Sequence, residues 1–532
     1  MKPLLDGCSV ELVEGPHNSA YDLAIGAART CYAQKAVMPD QVRKDEKSTK
    51  IAENIFDGIY DAGHHTTIQH PNFTFILRGV SRHFTWSFLH SHPFYNSEQQ
   101  SQRYVDIRPE NFLIPPFKKS ESAQLFEDAV RDAADAYAQL QSITEKTIVD
   151  EWYKLYPQRR KDPKKWENQS HKRIIESARY VIPVCAQTTM YHTISGLTLL
   201  RYQKMCSQFD TPLENRLVVN KMVALAREKS PEYFRKAEYA DNIKDTPECR
   251  MFEEFFGTYG RQPKAARFTK EFDTELEGLS SKLVDWNVNA EKTLAGAYRS
   301  VFGLPSDHII PGQNRALSDE EAIDHVLNPA KNTWLSSTLR VNTLSKIGRV
   351  MNHVHYTFKK KISHTADSQD QRHRMTPGAR PILAGHFNFE EPDCIWPVSY
   401  EKNPAAMALV DKTAKTLWST MQRLYDEGEP WEFVQYLLPN ATAIRFYESG
   451  DLLNFHHKWT TRLCYLAQEE IWRNCKEEVL QVREKHPNIG KYLSAPCTLR
   501  KMTGDSPYCP EGARYCGVPV WTKDVKDYER VI

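Results

Sequence analysis

The chain has 532 residues, of which 40% are hydrophobic and 26% charged, with a formal net charge of +2. That length exceeds one ordinary hydrophobic core and asks for two domains, and the near-neutral balance gives no electrostatic case for nucleic-acid binding. No apolar run is long enough to span a bilayer, the N-terminus MKPLLDGCSVELVEG lacks a secretory apolar stretch, and 11 cysteines, an odd count, fit reduced thiols in a cytoplasm.

In chain order, AGHHTTIQH (62–70) comes first. Gly63 permits a tight turn, and His64, Thr66, Gln69 and His70 cluster behind it, although HxxxxxH is not a usual metal spacing. NFTFILRGVSR (72–82) alternates apolar positions and predicts a strand. The aromatic segment WSFLHSHPFYN then runs into SEQQSQRYVD (97–106), where Arg103 beside the hydroxyl of Ser101 suits an anionic oxygen. Helical spacing follows over 122–156. In SARYVIP, Arg179 enters an apolar triplet, and a buried arginine needs an acceptor.

The spacing predicts a further helix over 213–240, and the polar, punctuated text from about 240 to 270 predicts a linker. Residues 448–484 again have helical spacing. It puts Phe455, Trp459, Arg462 and Leu466 on one face, so Arg462 sits in an apolar stripe, where it would snorkel to water or meet an anion. The tail holds Cys497, Cys509 and Cys516 without a CxxC pair. A structural zinc normally takes four ligands, so a compact tail without metal is expected. Long helices with few strands predict an α+β fold.

The halves echo each other at offsets of roughly 260 residues. GVSRHF…SEQQSQRY pairs with KIGRVMNH…DSQDQRHR (346–374), and ARYVIP (178–183) with QYLLP (435–439). A tandem duplication with a unique tail is the simplest account, with domains at 1–245, 265–490 and 491–532. The first-half counterpart of Arg462 is Cys206.

Taken together, these segments resemble the flavin-dependent thymidylate synthase family. That family carries a GHxS/TxxEH turn entering an FTF strand, an RHR motif, an aromatic-Asn-Glu stretch, SxRY, ARxxLP, and a helix with a catalytic arginine followed by AQxEI. Here the matches are GHHTTIQH, FTF, LHS (89–91), YNSE (95–98), SQRY (101–104), ARYVIP and RLCYLAQEEI (462–471). In this alignment His90 is what survives of the RHR motif, flanked by Leu89 and Ser91, with His92 as the alternative register; Gln69 replaces the family's glutamate. The second repeat keeps Arg462 but has Gln435 before its proline, and DQRH puts Asp370 where SxRY has its serine.

The resemblance implies two tandem synthase-like domains, each an antiparallel sheet with long helices. It implies FAD as cofactor, and dUMP, methylenetetrahydrofolate and NAD(P)H as partners. It assigns catalysis to Arg462 and Ser101, substrate contacts to Glu98, Ser101, Arg103 and Arg179, and flavin contacts to His64, Thr66, His90 and Asn96. Family members are homotetramers with shared sites, so the resemblance implies a homodimer forming a pseudo-tetramer. A related flavoenzyme for another pyrimidine nucleotide or one-carbon unit, or a non-catalytic nucleotide-binding homologue, is the alternative.

Overall fold

The structure, a computed structural model, describes every residue except 109, 241, 262 and 263. Two four-stranded antiparallel sheets of one topology organise it. In the first repeat, β1 (Ser9–Glu14), β2 (Asn72–Ser81), β3 (Asn96–Gln99) and β4 (Gln187–Ser195) lie in the order β1-β2-β4-β3. In the second, β5 (Ser281–Trp286), β6 (His355–Ser363), β7 (Gly378–Ala379) and β8 (Ala443–Asp451) lie in the order β5-β6-β8-β7. The predicted strand at 72–82 is β2, its alternation reflecting one face packed and one less covered.

Helices follow the long strands at equivalent places. Ser81 ends β2 and caps α1 (Arg82–Leu89), its Oγ accepting from the Phe84 amide at 2.8 Å; Ser363 ends β6 and caps α2 (His364–Asp370) through the Ala366 amide at 3.1 Å. Ser195 caps α3 (Gly196–Met205), and Asp451 caps α4 (Leu452–Arg462). Ser81 and Ser363 are each gripped by a buried glutamate through amide and hydroxyl. Glu214, on α5 (Pro212–Lys229), holds Ser81, and Glu470, on α6 (Glu469–Lys485), holds Ser363. Each glutamate also receives a tyrosine hydroxyl from the other repeat at 2.6 Å: Tyr436 to Glu214, and Tyr180 to Glu470. These reciprocal bonds mark a pseudo-two-fold seam.

The capping serines correct the internal alignment. Ser363 and His364 correspond to Ser81 and Arg82: the His364 amide donates to Thr442 as the Arg82 amide donates to Ala186. KIGRVMNH precedes β6 and answers to the turn before β2, not to GVSRHF. A one-residue bulge separates the two long strands, because β2 carries an irregularity between Arg78 and Val80 that β6 lacks. Gly79 there has φ 70°, and a Cβ on it would lie 2.2 Å from the Gly7 carbonyl oxygen.

One hydrophobic core lies inside the first repeat and a second joins the second repeat to the tail. A third is common to both, with Trp86, Phe126 and Ile182 beside Ile362, Tyr436 and Ile444. The expected linker is mostly helical, at Pro247–Phe256 and Ala265–Glu275, with Phe252 and Phe272 buried; residues 241, 262 and 263 within it lie outside the described residues. The helix expected over 122–156 is found at Ser120–Leu155, and that over 213–240 ends at Lys229. The segment 448–484 is the end of β8, then α4, a turn, and α6. Leu466 falls in that turn, so it does not continue the face of Phe455 and Trp459.

Among the described residues, no helix is long and apolar enough to cross a membrane.

Candidate functional site

A cavity of about 450 Å³ opens where the repeats meet. The first repeat lines it with Tyr95, Asn96 and Glu98, and the second with Arg372, His373 and Arg374. Arg462, at the last turn of α4, completes the wall with Arg340 and His457. A second cavity of about 320 Å³ shares Arg340, His457 and Thr461 with it.

Arg462 is held on both sides of its guanidinium. Nε donates to Nε2 of His373 at 2.8 Å, and Nη2 to the carbonyl of Gln369 at 2.7 Å. Burial, helped by the Arg462 and Lys458 charges, holds the His373 pKa well below the usual histidine range, so the ring is neutral and can accept. Burial also lowers Arg462 to about 10, against the favourable field of Asp370. Nη1 makes neither of these bonds.

Two cations of the cavity are ordered across the seam and a third within the second repeat. Arg372 pairs with Glu98. Arg374 donates to the Pro93 carbonyl at 3.1 Å and lies over the Tyr95 ring. Arg340 reaches Nε2 of His457 at 2.6 Å from a left-handed backbone, φ 56°, uncommon for a non-glycine residue.

Ser101, Arg103 and Arg179 stand beside this cavity, not in its wall. Ser101 closes a tight turn: its Oγ accepts from the Arg103 amide at 3.2 Å, and its carbonyl accepts from the amides of Tyr104 and Val105. Arg103 lines a separate cavity of about 330 Å³, paired with Glu176 and donating to the Leu466 carbonyl at 3.1 Å. The charges of Arg103, Arg173 and Arg179 overcome burial and bring the Glu176 carboxyl down to about 2. Arg179 is buried, and its Nε and Nη2 have no partner. Its charge is met in part by the field of Glu176, and its two unbonded nitrogens are donors that an anionic oxygen would satisfy. Asn440 bridges the Arg179 carbonyl and the Gln102 side chain, bringing this arginine to the Ser101 turn.

His64 and Thr66 lie exposed in the turn before β2 and line none of these cavities. His90 is not in the wall shared by Asn96 and Arg462 but lines an adjoining cavity of about 170 Å³ with His373 and Arg374; its Nδ1 meets the Trp86 carbonyl at 2.8 Å and its Nε2 lies 3.5 Å from Asp367 of the second repeat. Burial lowers its pKa to about 4. Asp370, aligned from the sequence with the serine of SxRY, is fully buried at the end of α2 among lysines and carboxylates.

Arg372, His373 and Arg374 were missed in the sequence. They stand as far past Ser363 as His90, Ser91 and His92 stand past Ser81. The tripeptide RHR was there to be read; anchoring on the echo between SQRY and DQRH hid it.

In the tail, Cys464 joins Cys497, Cys509 and Cys516 around one small cavity, and all are free thiols. Among the described residues, no three histidine, cysteine, aspartate or glutamate side chains are arranged to hold a metal ion.

A family model described as thymidylate synthase complementing protein matches residues 12–232 and 282–488. The flavin-dependent thymidylate synthase of Clostridium tetani is 28% identical over 233 residues, covering 43% of this chain and 86% of its own length. That of Nitratidesulfovibrio vulgaris is 26% identical over 251 residues, covering 45% and 90%. Among solved structures, a UMP/dUMP methylase, PolB, from Streptomyces cacaoi bound with 5-Br dUMP is 15% identical with a TM-score of 0.30, over 43% of this chain and 93% of that one.

Proposed function

The chain belongs to the family described as thymidylate synthase complementing protein, which it carries twice in tandem, and from that premise we propose that it is a flavin-dependent enzyme methylating dUMP to dTMP. Relatives named flavin-dependent thymidylate synthase support the reading. The observation that carries it is the sharing of one cavity by Asn96 and Glu98 of one repeat and Arg372 and Arg462 of the other. The repeats have lost complementary parts: the first has Cys206 where the second has Arg462, and the second has Gln435 where the first has Arg179.

In the proposed site the nucleotide phosphate is taken by Arg103 and Arg179, with Ser101 and Glu98 along the nucleoside. The unpartnered nitrogens of Arg179 fit an anionic oxygen. Arg462, fixed by His373 and the Gln369 carbonyl, stabilises negative charge growing on the uracil ring without having to reorganise. The lining also suits FAD. Arg340, Arg372 and Arg374 offer charge to its pyrophosphate, Asn96 offers hydrogen bonds, and the buried Gln371 side-chain oxygen, which has no partner, is an acceptor for a ligand N–H. Reduced flavin, when bound, supplies the hydride. Methylenetetrahydrofolate is the proposed one-carbon donor and NAD(P)H the proposed reductant.

Two chains pair in this reading into a pseudo-tetramer, which gives the exposed His64 and Thr66 a partner's cavity to face. The test is an absorbance spectrum of the purified protein with added FAD, followed by product analysis with dUMP, dCMP and dUTP. Flavin colour and dTMP from dUMP alone are expected. Nucleotide binding with neither colour nor turnover rejects the proposal, and product from dCMP or dUTP instead redirects it to another pyrimidine.

A further inference from the structure

Behind the wall of the cavity, five ionisable side chains meet out of contact with water. Lys360 of β6 reaches Glu448 of β8 at 2.8 Å, Glu478 of α6 at 2.9 Å and Asp370 of α2 at 3.2 Å. Lys458 of α4 reaches Asp370 and Glu448, each at 2.7 Å. All five side chains are 0–1% exposed.

The first repeat fills the same five places without charge. Leu77 faces Met190 across its sheet as Lys360 faces Phe446, and His192 faces Phe75 as Glu448 faces Phe358. Phe88 lies as far past Ser81 as Asp370 past Ser363, and Tyr202 as far past Ser195 as Lys458 past Asp451. Met222 lies as far past Glu214 as Glu478 past Glu470. Phe88, His192 and Tyr202 form one ring cluster, in which burial lowers His192 to about 3, so it is neutral. The scaffold therefore closes without these charges. Burying them carries a desolvation cost that well-packed apolar residues avoid, so stability is a poor reason for their presence.

Their placement suggests another reason. The His373 amide donates to the Asp370 carbonyl at 2.8 Å, and Arg372 lies between those two residues. Lys458 is one helical turn before Arg462 on α4. Thr376, just after Arg374, donates to Glu448 at 2.9 Å. Every segment carrying a second-repeat cation of α2–β7 or α4 into the cavity is thus tied to the cluster. The equivalent first-repeat segments bring no arginine to their ends, only His90, Ser91, His92 and Cys206. Three carboxylates face two ammonium groups, so one negative charge is in excess beneath the arginines. His90, Asp367, His373, Arg380, Arg462 and Cys475 are the other titratable groups facing it, Asp367 being paired with Arg380.

We propose that Lys360, Asp370, Glu448, Lys458 and Glu478 are a positioning network, which fixes Arg372, His373, Arg374 and Arg462 in the cavity and supplies the negative charge that balances them. The inference rests on the proposed reaction at that cavity. Its first test installs the first-repeat residues together: Lys360→Leu, Asp370→Phe, Glu448→His, Lys458→Tyr and Glu478→Met. The expected result is a folded protein with an unfolding midpoint no lower than the parent's and turnover reduced on the order of hundredfold, the effect of an ångström of misplacement.

A second variant, Asp370→Asn, removes only the excess charge. It should fold and shift the basic limb of the pH–rate profile to lower pH, because Arg462 loses the Asp370 field; a purely structural role leaves that limb in place. Binding of dUMP from pH 7 upward is followed in parallel and reads the site without turnover. Parental turnover with an unmoved limb in Asp370→Asn overturns the network, as does parental turnover in the five-residue variant. If the parent binds dUMP without methylating it, the reaction fails and the network is judged on binding alone. A parent that does neither overturns both.

Discussion

Glu98 of the first repeat is ion-paired to Arg372 of the second, across the mouth of a cavity to which both repeats contribute. The Arg372 side chain is 49% exposed and that of Glu98 77%, so the pair adds little to stability. Its meaning is one of position: it joins the polar stretch after the aromatic segment to the arginine-rich end of α2. Arg372→Ala is expected to change stability by no more than about 0.5 kcal/mol. It should weaken dUMP or FAD binding by roughly tenfold to a hundredfold, the value of one charge-assisted hydrogen bond. Calorimetric titration beside thermal unfolding checks both.

Arg462→Ala should retain flavin colour and lose turnover by about 10²–10³-fold, as when one preorganised donor to a developing anion is removed. Arg462→Lys should not restore it, because an ammonium cannot span both His373 and the Gln369 carbonyl. Normal turnover in either variant removes Arg462 from the chemistry.

One working site per chain is expected, not two. The pseudo-symmetric position pairs His90, Ser91, His92 and Cys206 with Gln435, and Gln435 is already engaged by the Asp210 carbonyl. Titration with FAD and with dUMP should saturate near one equivalent per chain; saturation near two contradicts the assignment of complementary losses.

The seam is held by buried hydroxyl–carboxylate bonds. Burial raises the Glu214 pKa, while the Ser81 and Tyr436 hydrogen bonds oppose the rise. Tyr436→Phe and Tyr180→Phe each remove one charged-acceptor bond and should destabilise the protein by about 1.5–3 kcal/mol. Denaturant unfolding monitored in each repeat is the measurement, and losses confined to one repeat count against a shared seam.

Acid should weaken the fold well above the usual carboxylate range. Burial lowers His83 to about 4 and His192 and His364 to about 3, against 6.5 for the free side chain. Below pH 6.5 the unfolded chain takes up protons that the native core refuses. The stabilisation of the neutral rings is complete above pH 6.5 and is lost as pH falls towards 3–4. Each ring can contribute up to about 1.4 kcal/mol per pH unit across that window. His192→Phe should flatten the dependence of the unfolding midpoint on pH between 6.5 and 4.

Much of the architecture was legible in the residues. The strand at 72–82 and the long helix after it follow from periodicity, which is a local property. ARYVIP and QYLLP prove equivalent because Pro183 and Pro439 meet at the seam itself. Reading 448–484 as one helix failed because apolar spacing continues smoothly from the end of β8 through α4 and into α6, while the turn at 463–468 is set by packing. The segment read as a linker does lie between the two matched regions, yet it is largely helical, because polar, punctuated text can still hide an amphipathic helix such as Pro247–Phe256.

By itself, the sequence determined that the chain repeats a unit, which side chains suit an anion, and that Arg462 enters an apolar stripe. All of these depend on residue type and near-neighbour spacing. Only the tertiary structure decided which residues share a cavity, because the pseudo-two-fold brings the end of α2 against β3 from far along the chain. It put Arg372 and His373 in the wall of the cavity with Asn96 and Arg462, and it buried Asp370. It also left two nitrogens of Arg179 without a hydrogen-bond partner, which becomes visible only once the surrounding acceptors are fixed in space.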